Sequence, residues 1–317
     1  PHHCTIRPND TGICRVRKNI EGILYSLVYG HPIAQSIDPV EKKPLFHFYP
    51  GSRTFSIATV GCNLKCKHCQ NANISQLHEE PRFSTEISPE EIVHSALEKN
   101  AHSISYTYTE PTIFYEYALD IAQLAQVKGL KNIFVTNGYI ETEAFQQIAP
   151  FIDAANIDLK AMSDEFYKRI CGARLQSVLD AIKAYVEKDI WVEITTLIIP
   201  GYNDDEKGLG DIARFIYDIN PDIPWHVTGF SPTYQLTEVP STTVSMIEKA
   251  VVIGKEAGLS YVYPGNRGFG EHTLCPICGR ELIRRDGFRV STNKILNNSC
   301  PDCQAKISGI GLDWLRN

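Results

Sequence analysis

The sequence predicts an α/β fold in which parallel strands alternate with helical crossovers, flanked by an N-terminal extension and a small C-terminal module. Three observations point there. Short apolar runs rich in β-branched residues recur along the chain, and amphipathic stretches of helical period separate them. The alternation repeats about six times, which implies parallel strands joined by crossovers. A chain of 317 residues holds one large α/β domain with an appendage, or two modest domains. Six units fall short of the eight of a closed barrel, so an open doubly wound sheet and a partial barrel both satisfy the pattern.

The strands are expected at Phe55–Val60, Ser103–Thr107, Asn132–Thr136, Ala154–Leu159, Ile190–Ile199 and Trp225–Thr228, with a short last one at Tyr261–Tyr263. Ser88-Pro89-Glu90-Glu91 supplies an N-cap, a first-position proline and a capping-box glutamate ahead of Ile92, Val93, Ala96 and Leu97. Ile113, Tyr117, Ile121, Leu124 and Ala125 make a helical stripe that stops at Gly129. Ser163 is expected to cap the next helix, and Ser241 to open one running to about Ala257. Residues 1–50 form the N-terminal extension and 51–271 the strand–helix repeat. Residues 272–317 are a compositionally distinct tail, richer in cysteine and basic residues.

With 43% hydrophobic and 21% charged residues, the chain has a soluble, core-forming composition. No apolar run approaches the ~20 residues of a membrane span. PHHCTIRPND lacks a secretory h-region and starts at Pro1 rather than Met, as a processed or trimmed chain would. A net charge of −6 argues against nucleic-acid binding through a global positive field. Of the ten cysteines, six fall in three CxxC spacings, which suits metal better than disulfides and implies a reducing, cytoplasmic setting.

The stretch GCNLKCKHCQN places Cys62, Cys66 and Cys69 within eight residues, directly after the first expected strand. That is the strand end where parallel α/β folds carry their chemistry. Such spacing suits an iron–sulfur cluster or zinc. Structural zinc would want a fourth ligand, which His68 offers, whereas a cubane cluster on three thiolates leaves one iron open. In the tail, Cys275 and Cys278 with Cys300 and Cys303 form two knuckles separated by 21 residues. Four thiolates there read as a structural zinc ribbon, with a rubredoxin-like iron site as the alternative. Arg280, Arg284, Arg285 and Arg289 read as a solvated face or a basic patch for a partner. Cys4 and Cys14, with His2 and His3 nearby, are either zinc ligands or packed thiols, and Cys171 is expected to be a small buried hydrophobe.

The pattern Cys62-x3-Cys66-x2-Cys69 after the first strand of an incomplete barrel resembles the radical S-adenosylmethionine (SAM) superfamily. DPVEKKPLFHFYPG at Asp38–Gly51, SIATVGCNLKCKHCQN at Ser56–Asn71 and NIDLKAMSDEFYKRICGARL at Asn156–Leu175 resemble the AmmeMemoRadiSam-system radical SAM enzymes. These are relatives of the glycyl-radical activases typified by pyruvate formate-lyase activating enzyme. The resemblance runs across nearly the whole chain. It implies a partial (β/α)6 TIM-like radical SAM barrel carrying a zinc-ribbon-like module. The implied cofactors are a [4Fe-4S] cluster on Cys62, Cys66 and Cys69, and S-adenosyl-L-methionine. The implied partner is a one-electron donor such as flavodoxin or ferredoxin.

The resemblance also implies SAM contacts. Tyr108-Thr109-Glu110-Pro111 stands where relatives carry Gly-Gly-Glu, so Glu110 keeps the carboxylate for the methionine ammonium, beside Thr109. Thr136 and Asn137 follow the third strand. Asp158 and Lys160 end the fourth, pointing the same way by strand alternation, toward the ribose hydroxyls and the SAM carboxylate. His226 would sit near the adenosine end. Taken singly, Thr136-Asn137-Gly138 is also a strand-ending turn and Asp158–Lys160 also a buried ion pair. The implied reaction is reductive cleavage of SAM to methionine and a 5′-deoxyadenosyl radical that abstracts a hydrogen atom. Its donor is a protein partner, as for the activases, or a small molecule or modified nucleic acid. A non-catalytic metal-binding or electron-transfer protein would explain the cysteines, but not polar residues at successive strand ends.

Overall fold

The computed structural model describes residues 1–83, 85–268 and 270–314. Strands β1 (Arg17–Ile20) and β2 (Ile23–Ser26) form a hairpin. Its two-residue turn, Glu21 and Gly22, has φ of +52° and +89°, the left-handed geometry that matches strand twist. The main sheet then runs β3 (Ala34–Pro39), β4 (Arg53–Ala58), β5 (Ser103–Tyr106), β6 (Lys131–Thr136), β7 (Ala154–Asp158), β8 (Trp191–Ile198), β9 (Trp225–Gly229) and β10 (Val262–Gly265). Each of β5 to β10 pairs parallel to its predecessor, while β3 lies antiparallel on β4. The parallel run therefore has seven strands, the last supplied by the short Tyr261–Tyr263 segment. The eight-stranded sheet ends at β3 and β10, which do not pair with each other, so the barrel is partial.

Helices α1 (Ala72–Ser75), α2 (Pro89–Glu98), α3 (Tyr115–Val127), α4 (Thr142–Ile148), α5 (Asp164–Phe166), α6 (Leu175–Glu187), α7 (Glu206–Ile219) and α8 (Val244–Glu256) connect the strands. The capping box before α2 forms as its sequence dictates: Ser88 Oγ accepts from Glu91 N, and Glu91 Oε2 accepts from Ser88 N at 2.7 Å. Helix α8 opens two residues later than expected, because Thr243 rather than Ser241 caps it, accepting from Met246 N. After α5, capped by Ser163, the chain widens into a π turn, Tyr167–Cys171, ended by Gly172 at φ +71°. Among the described residues, no helix is long and apolar enough to cross a membrane.

Residues 40–48 leave β3 and enter the open barrel, where Val40, Leu45 and Phe48 pack on Ile133 and Ala154. What fixes them there is Glu193 of β8, fully buried. Its carboxylate accepts from His47 N at 2.7 Å, Phe46 N at 2.9 Å and Trp191 Nε1 at 3.0 Å, and meets His226 Nε2 at 2.7 Å. Burial opposes that charge, but the His226 contact and the other donors outweigh it and hold Glu193 below the usual carboxylate range.

The tail builds on the same point. Strands β11 (Thr273–Leu274), β12 (Glu281–Asp286) and β13 (Arg289–Asn293) form a small antiparallel sheet, and Leu282, Ile283 and Ile295 share a core with Phe46, Tyr261 and Tyr263. His47 Nδ1 lies 2.7 Å from Ser308 O, and Ile310 N donates to His47 O. Arg285 is not part of a solvated basic face, because its side chain turns inward. It is 2% exposed and donates to Phe46 O at 2.7 Å and Thr273 Oγ1 at 2.8 Å.

Arg285 Nε also lies 3.7 Å from Glu41 Oε1. Burial raises the Glu41 carboxyl to about 7, against the opposing Arg285 charge and the Gly51 N–H. From its ordinary value of 4.5 up to about 7, the folded state therefore binds this proton more readily than the unfolded chain. The Glu41 contribution is fully present below 4.5 and is lost as pH rises through about 7. Glu41→Gln removes the titration. Chemical denaturation should show wild type losing roughly 2 kcal/mol relative to Glu41→Gln between about pH 5 and pH 8. A pH-independent gap would mean that the carboxyl titrates normally.

Candidate functional site

A cleft of about 360 Å³ opens at the C-terminal ends of the parallel strands, within the range of ligand-binding cavities. A larger groove of about 560 Å³ lies between β3 and the turn before β13, but it lacks a comparable convergence of sulfur, carboxylate and amide groups. Phe288, on the β12–β13 turn, lines both.

The cysteine loop forms one wall of the cleft. It leaves β4 through Gly61 at φ +95°, where a Cβ would lie 2.8 Å from both Cys14 O and Val16 Cγ1, so only glycine fits. Main-chain bonds then pin it: Gly61 N to Ile74 O at 2.8 Å, Lys65 N to Cys171 O at 2.7 Å, Lys67 N to Ile170 O at 2.9 Å and Gln235 N to Lys67 O at 3.0 Å. Cys62 Sγ accepts from Leu64 N at 3.4 Å and lies 3.8 Å from Asn137 Nδ2, and Cys69 Sγ is 3.1 Å from Ser75 Oγ. Burial pushes the Cys62 and Cys69 thiols up, whereas the neighbouring Cys171 thiol brings Cys66 below its ordinary value.

Three sulfurs on one ion, each bonded at about 2.3 Å, cannot lie more than about 4.6 Å apart. Among the described residues, the groups whose ligand atoms all fall within 4.8 Å of one another do not include Cys62–Cys66–Cys69. As placed, these thiols fit a multinuclear cluster, with one iron per sulfur, better than a single ion. His68 Nδ1 is buried without a hydrogen-bond partner, and the ring lies within 4.8 Å of Cys66 and Cys171 sulfur. Burial lowers His68 to about 3, keeping its imidazole neutral.

Glu110 lies at the end of β5, 1% exposed. Its Oε1 accepts from Thr112 Oγ1 at 2.7 Å, Thr136 Oγ1 at 2.8 Å and Thr112 N at 3.1 Å, and among the described residues Oε2 accepts only from Asn137 N at 2.8 Å. The carboxylate ties the β5 and β6 ends together and keeps acceptor capacity at Oε2. Asn137 Nδ2 donates to Asn63 Oδ1 at 2.8 Å, coupling β6 to the cysteine loop, and Thr109 Oγ1 donates to Thr59 O at 2.8 Å. Lys160 Nζ meets Asp158 Oδ2 at 2.7 Å, so the pair points the same way into the cleft. Burial opposes the Lys160 charge, but Asp158 with the Cys66 and Cys171 sulfurs outweighs it, and the ammonium persists well above its ordinary range.

Thr109, Glu110, Thr136, Asn137, Asp158 and Lys160 thus line one cleft with the three cysteines. His226 does not: it is 3% exposed, bound to Glu193 and packed against Phe46 and Tyr263. Nor are Cys4 and Cys14 brought together with histidine. Cys4 is exposed, Cys14 packs in the core, and among the described residues neither joins a compact ligand group. His2 instead meets Asn63 O at 2.7 Å. In the tail, Cys275, Cys278, Cys300 and Cys303 fall within 4.8 Å of one another, with Cys275–Cys303 at 3.5 Å and Cys278–Cys300 at 3.7 Å. Those separations fit a tetrahedral ion held by four thiolates and closed to further ligands.

The cleft also holds residues that periodicity did not single out. Lys43 is 1% exposed, and its Nζ donates to Asp38 Oδ2 at 2.8 Å. Burial brings this ammonium down to about 8, partly offset by Asp38. Burial would raise Asp38, yet donors from Lys42, Lys43 and Tyr108 hold it far below the carboxylate range. The same pair shifts both partners downward because Asp38 gains three donors while Lys43 loses its water. Tyr108 completes this group: its hydroxyl donates to Asp38 Oδ2, and Lys43 Nζ sits 4.4 Å from its ring centroid. Tyr108 has φ +63°, a backbone conformation that favours glycine, at one of the positions where the resemblance expects it.

The profile of the Radical SAM superfamily matches residues 56–213. The chain is 44% identical over 316 residues to "Uncharacterized protein MJ0808" of Methanocaldococcus jannaschii, covering 99% of this chain and 93% of that protein. It is 24% identical to pyruvate formate-lyase 1-activating enzyme of Escherichia coli K12, over 57% of this chain and 76% of that enzyme. Among solved structures it is similar to Streptococcus suis SuiB bound to precursor peptide SuiA, with TM-score 0.53 and 14% identity. That likeness covers 72% of this chain and 51% of SuiB, and it concerns the fold alone.

Gly61→Ala would place a methyl group against Cys14 O and force a left-handed alanine. Denaturant unfolding of the metal-free variant should show a loss of roughly 2–4 kcal/mol, with faster proteolysis across residues 61–71. Unchanged stability would show that the loop is not pinned in this way.

Proposed function

The chain belongs to the radical SAM superfamily and is an enzyme of that type; we propose that it cleaves SAM reductively at a [4Fe-4S] cluster held by Cys62, Cys66 and Cys69. Membership of the family implies both cofactors. When bound, they supply an electron and a 5′-deoxyadenosyl group that takes a hydrogen atom from the substrate as a radical. The observation that carries the reading is the convergence, in one cleft, of three thiols too spread for one ion with a carboxylate, an amide and an ion pair.

Each residue then has a task that follows from its surroundings. Glu110, with acceptor capacity left at Oε2, receives the methionine ammonium, and Thr109 and Thr136 hold that carboxylate's neighbourhood in place. Asn137 braces the cluster loop through Asn63. Asp158 accepts from the ribose hydroxyls, and Lys160, its charge secured by Asp158, attracts the SAM carboxylate. His226 keeps no direct part in this reading and acts as a support for Glu193. The four tail thiolates hold zinc as a structural ion. The narrower assignment to AmmeMemoRadiSam-system enzymes rests on the Asp38–Gly51, Ser56–Asn71 and Asn156–Leu175 segments.

The substrate that gives up the hydrogen atom would enter the cleft that Asn266 and Phe288 also line. Relatives named pyruvate formate-lyase 1-activating enzyme and putative glycyl-radical enzyme activating enzyme favour a second, finer reading, an activase that acts on a protein partner. A one-electron donor of the flavodoxin or ferredoxin kind would serve either reading.

Anaerobically reconstituted protein given dithionite and SAM should form 5′-deoxyadenosine. A protein with an intact cluster that forms none would sink the proposal. Cys66→Ala is expected to cut that product by roughly 100-fold or more while zinc stays bound. Cys278→Ser should do the reverse, losing zinc and several kcal/mol of tail stability (order of magnitude) while iron and sulfide remain. Loss of the cluster in Cys278→Ser would contradict the division between the two centres.

A further inference from the structure

Cys171 lies outside the three-cysteine motif, yet the structure sets it against the middle member. The π turn Tyr167–Cys171 is a rare backbone form that recurs at functional sites. It presents two carbonyls to the cysteine loop, Cys171 O to Lys65 N at 2.7 Å and Ile170 O to Lys67 N at 2.9 Å. These bonds bracket Cys66 on both sides. Gly172, at φ +71°, ends the π turn in the left-handed conformation that favours glycine, directly beside Lys65. The Cys66 and Cys171 sulfurs and a His68 ring nitrogen lie within 4.8 Å of one another, all three side chains are buried, and Cys171 is 0% exposed.

We propose that the Cys171 thiol donates a hydrogen bond to the Cys66 sulfur, and thereby raises the reduction potential of the cluster that Cys66 holds. The inference rests on the iron–sulfur reading of Cys66 and adds a positioning residue to it. An ordinary thiol carries its proton at neutral pH. Reduction adds negative charge to a cluster and its sulfur ligands, so a donor aimed at one of them stabilises the reduced form more than the oxidised form. The effect is enlarged by the dry surroundings, since Cys66 and Cys171 are both buried in the main hydrophobic core. The cluster must accept an electron before any SAM is cleaved, so a raised potential widens the range of donors able to deliver it.

The test compares the full-length wild type, Cys171→Ala and Cys171→Ser after anaerobic reconstitution. Iron and sulfide are quantified, the reduced cluster is followed by EPR during a potentiometric titration, and exchangeable protons are sought by ENDOR in D2O. All three proteins are expected to hold a full cluster. The midpoint should fall in Cys171→Ala and return most of the way in Cys171→Ser, whose hydroxyl still donates. Wild type should show an exchangeable deuteron coupled to the cluster beyond that of the Leu64 amide at Cys62, and Cys171→Ala should lose it while the Leu64 signal stays. Equal midpoints in wild type and Cys171→Ala would overturn the proposal. So would iron loss confined to Cys171→Ala, which would make Cys171 a ligand. Should the variants fail to fold, the wild-type spectrum decides: no exchangeable proton near the cluster beyond the Leu64 amide, no hydrogen bond from Cys171. Wild type that assembles no cluster would refute the iron–sulfur reading itself, a separate result.

Discussion

A single buried carboxylate organises this molecule. Glu193 points from β8 into the open side of the barrel and gathers the main-chain N–H groups of Phe46 and His47, the Trp191 indole and the His226 imidazole. A half-open barrel exposes its interior, and the chain fills that gap with its own residues 40–48. Backbone polar groups carried inside must find partners there, and Glu193 supplies them. The tail then fastens to the same two residues, through Arg285 on Phe46 O and through the 308–310 segment on His47. Extension, barrel and tail meet at one charge whose removal would leave several buried donors unpaired at once.

The cleft inherits this arrangement. Its chemistry-bearing groups sit at strand ends, but one wall carries Lys43 and Tyr108, both bonded to Asp38 behind them. Tyr108 stands in a backbone conformation that costs an ordinary residue about 1–2 kcal/mol. Its hydroxyl contact with Asp38 and its ring contact with Lys43 offset that cost. The loss of glycine at this position is therefore a trade: the backbone shape is kept, and the side chain becomes part of the wall.

Much of this was legible in the sequence. Strand positions followed from short β-branched runs, because each parallel strand is buried on both faces. The capping box at Ser88 was written in consecutive residues, and the compact tail set in its paired CxxC spacings. Other features left no local signal. β3 carries Gln35, Ser36 and Asp38, and it becomes a strand only because β4 offers an edge. Arg285 read as a surface cation, since its partners Phe46 O and Thr273 are remote in sequence or lack any charge. His226 sits at a strand end and so matched the pattern of a site residue, but a carboxylate on the neighbouring strand claims it. Cys171 is the buried small thiol expected, and only the π turn shows which sulfur it lies beside.

Phe288 stands on the β12–β13 turn, part of a sheet flanked by the four tail cysteines, and it lines the cleft. Oxidants that convert those thiols to disulfides would loosen the clasp and the turn that carries Phe288. One wall of the cleft thus depends on sulfur chemistry that lies outside it.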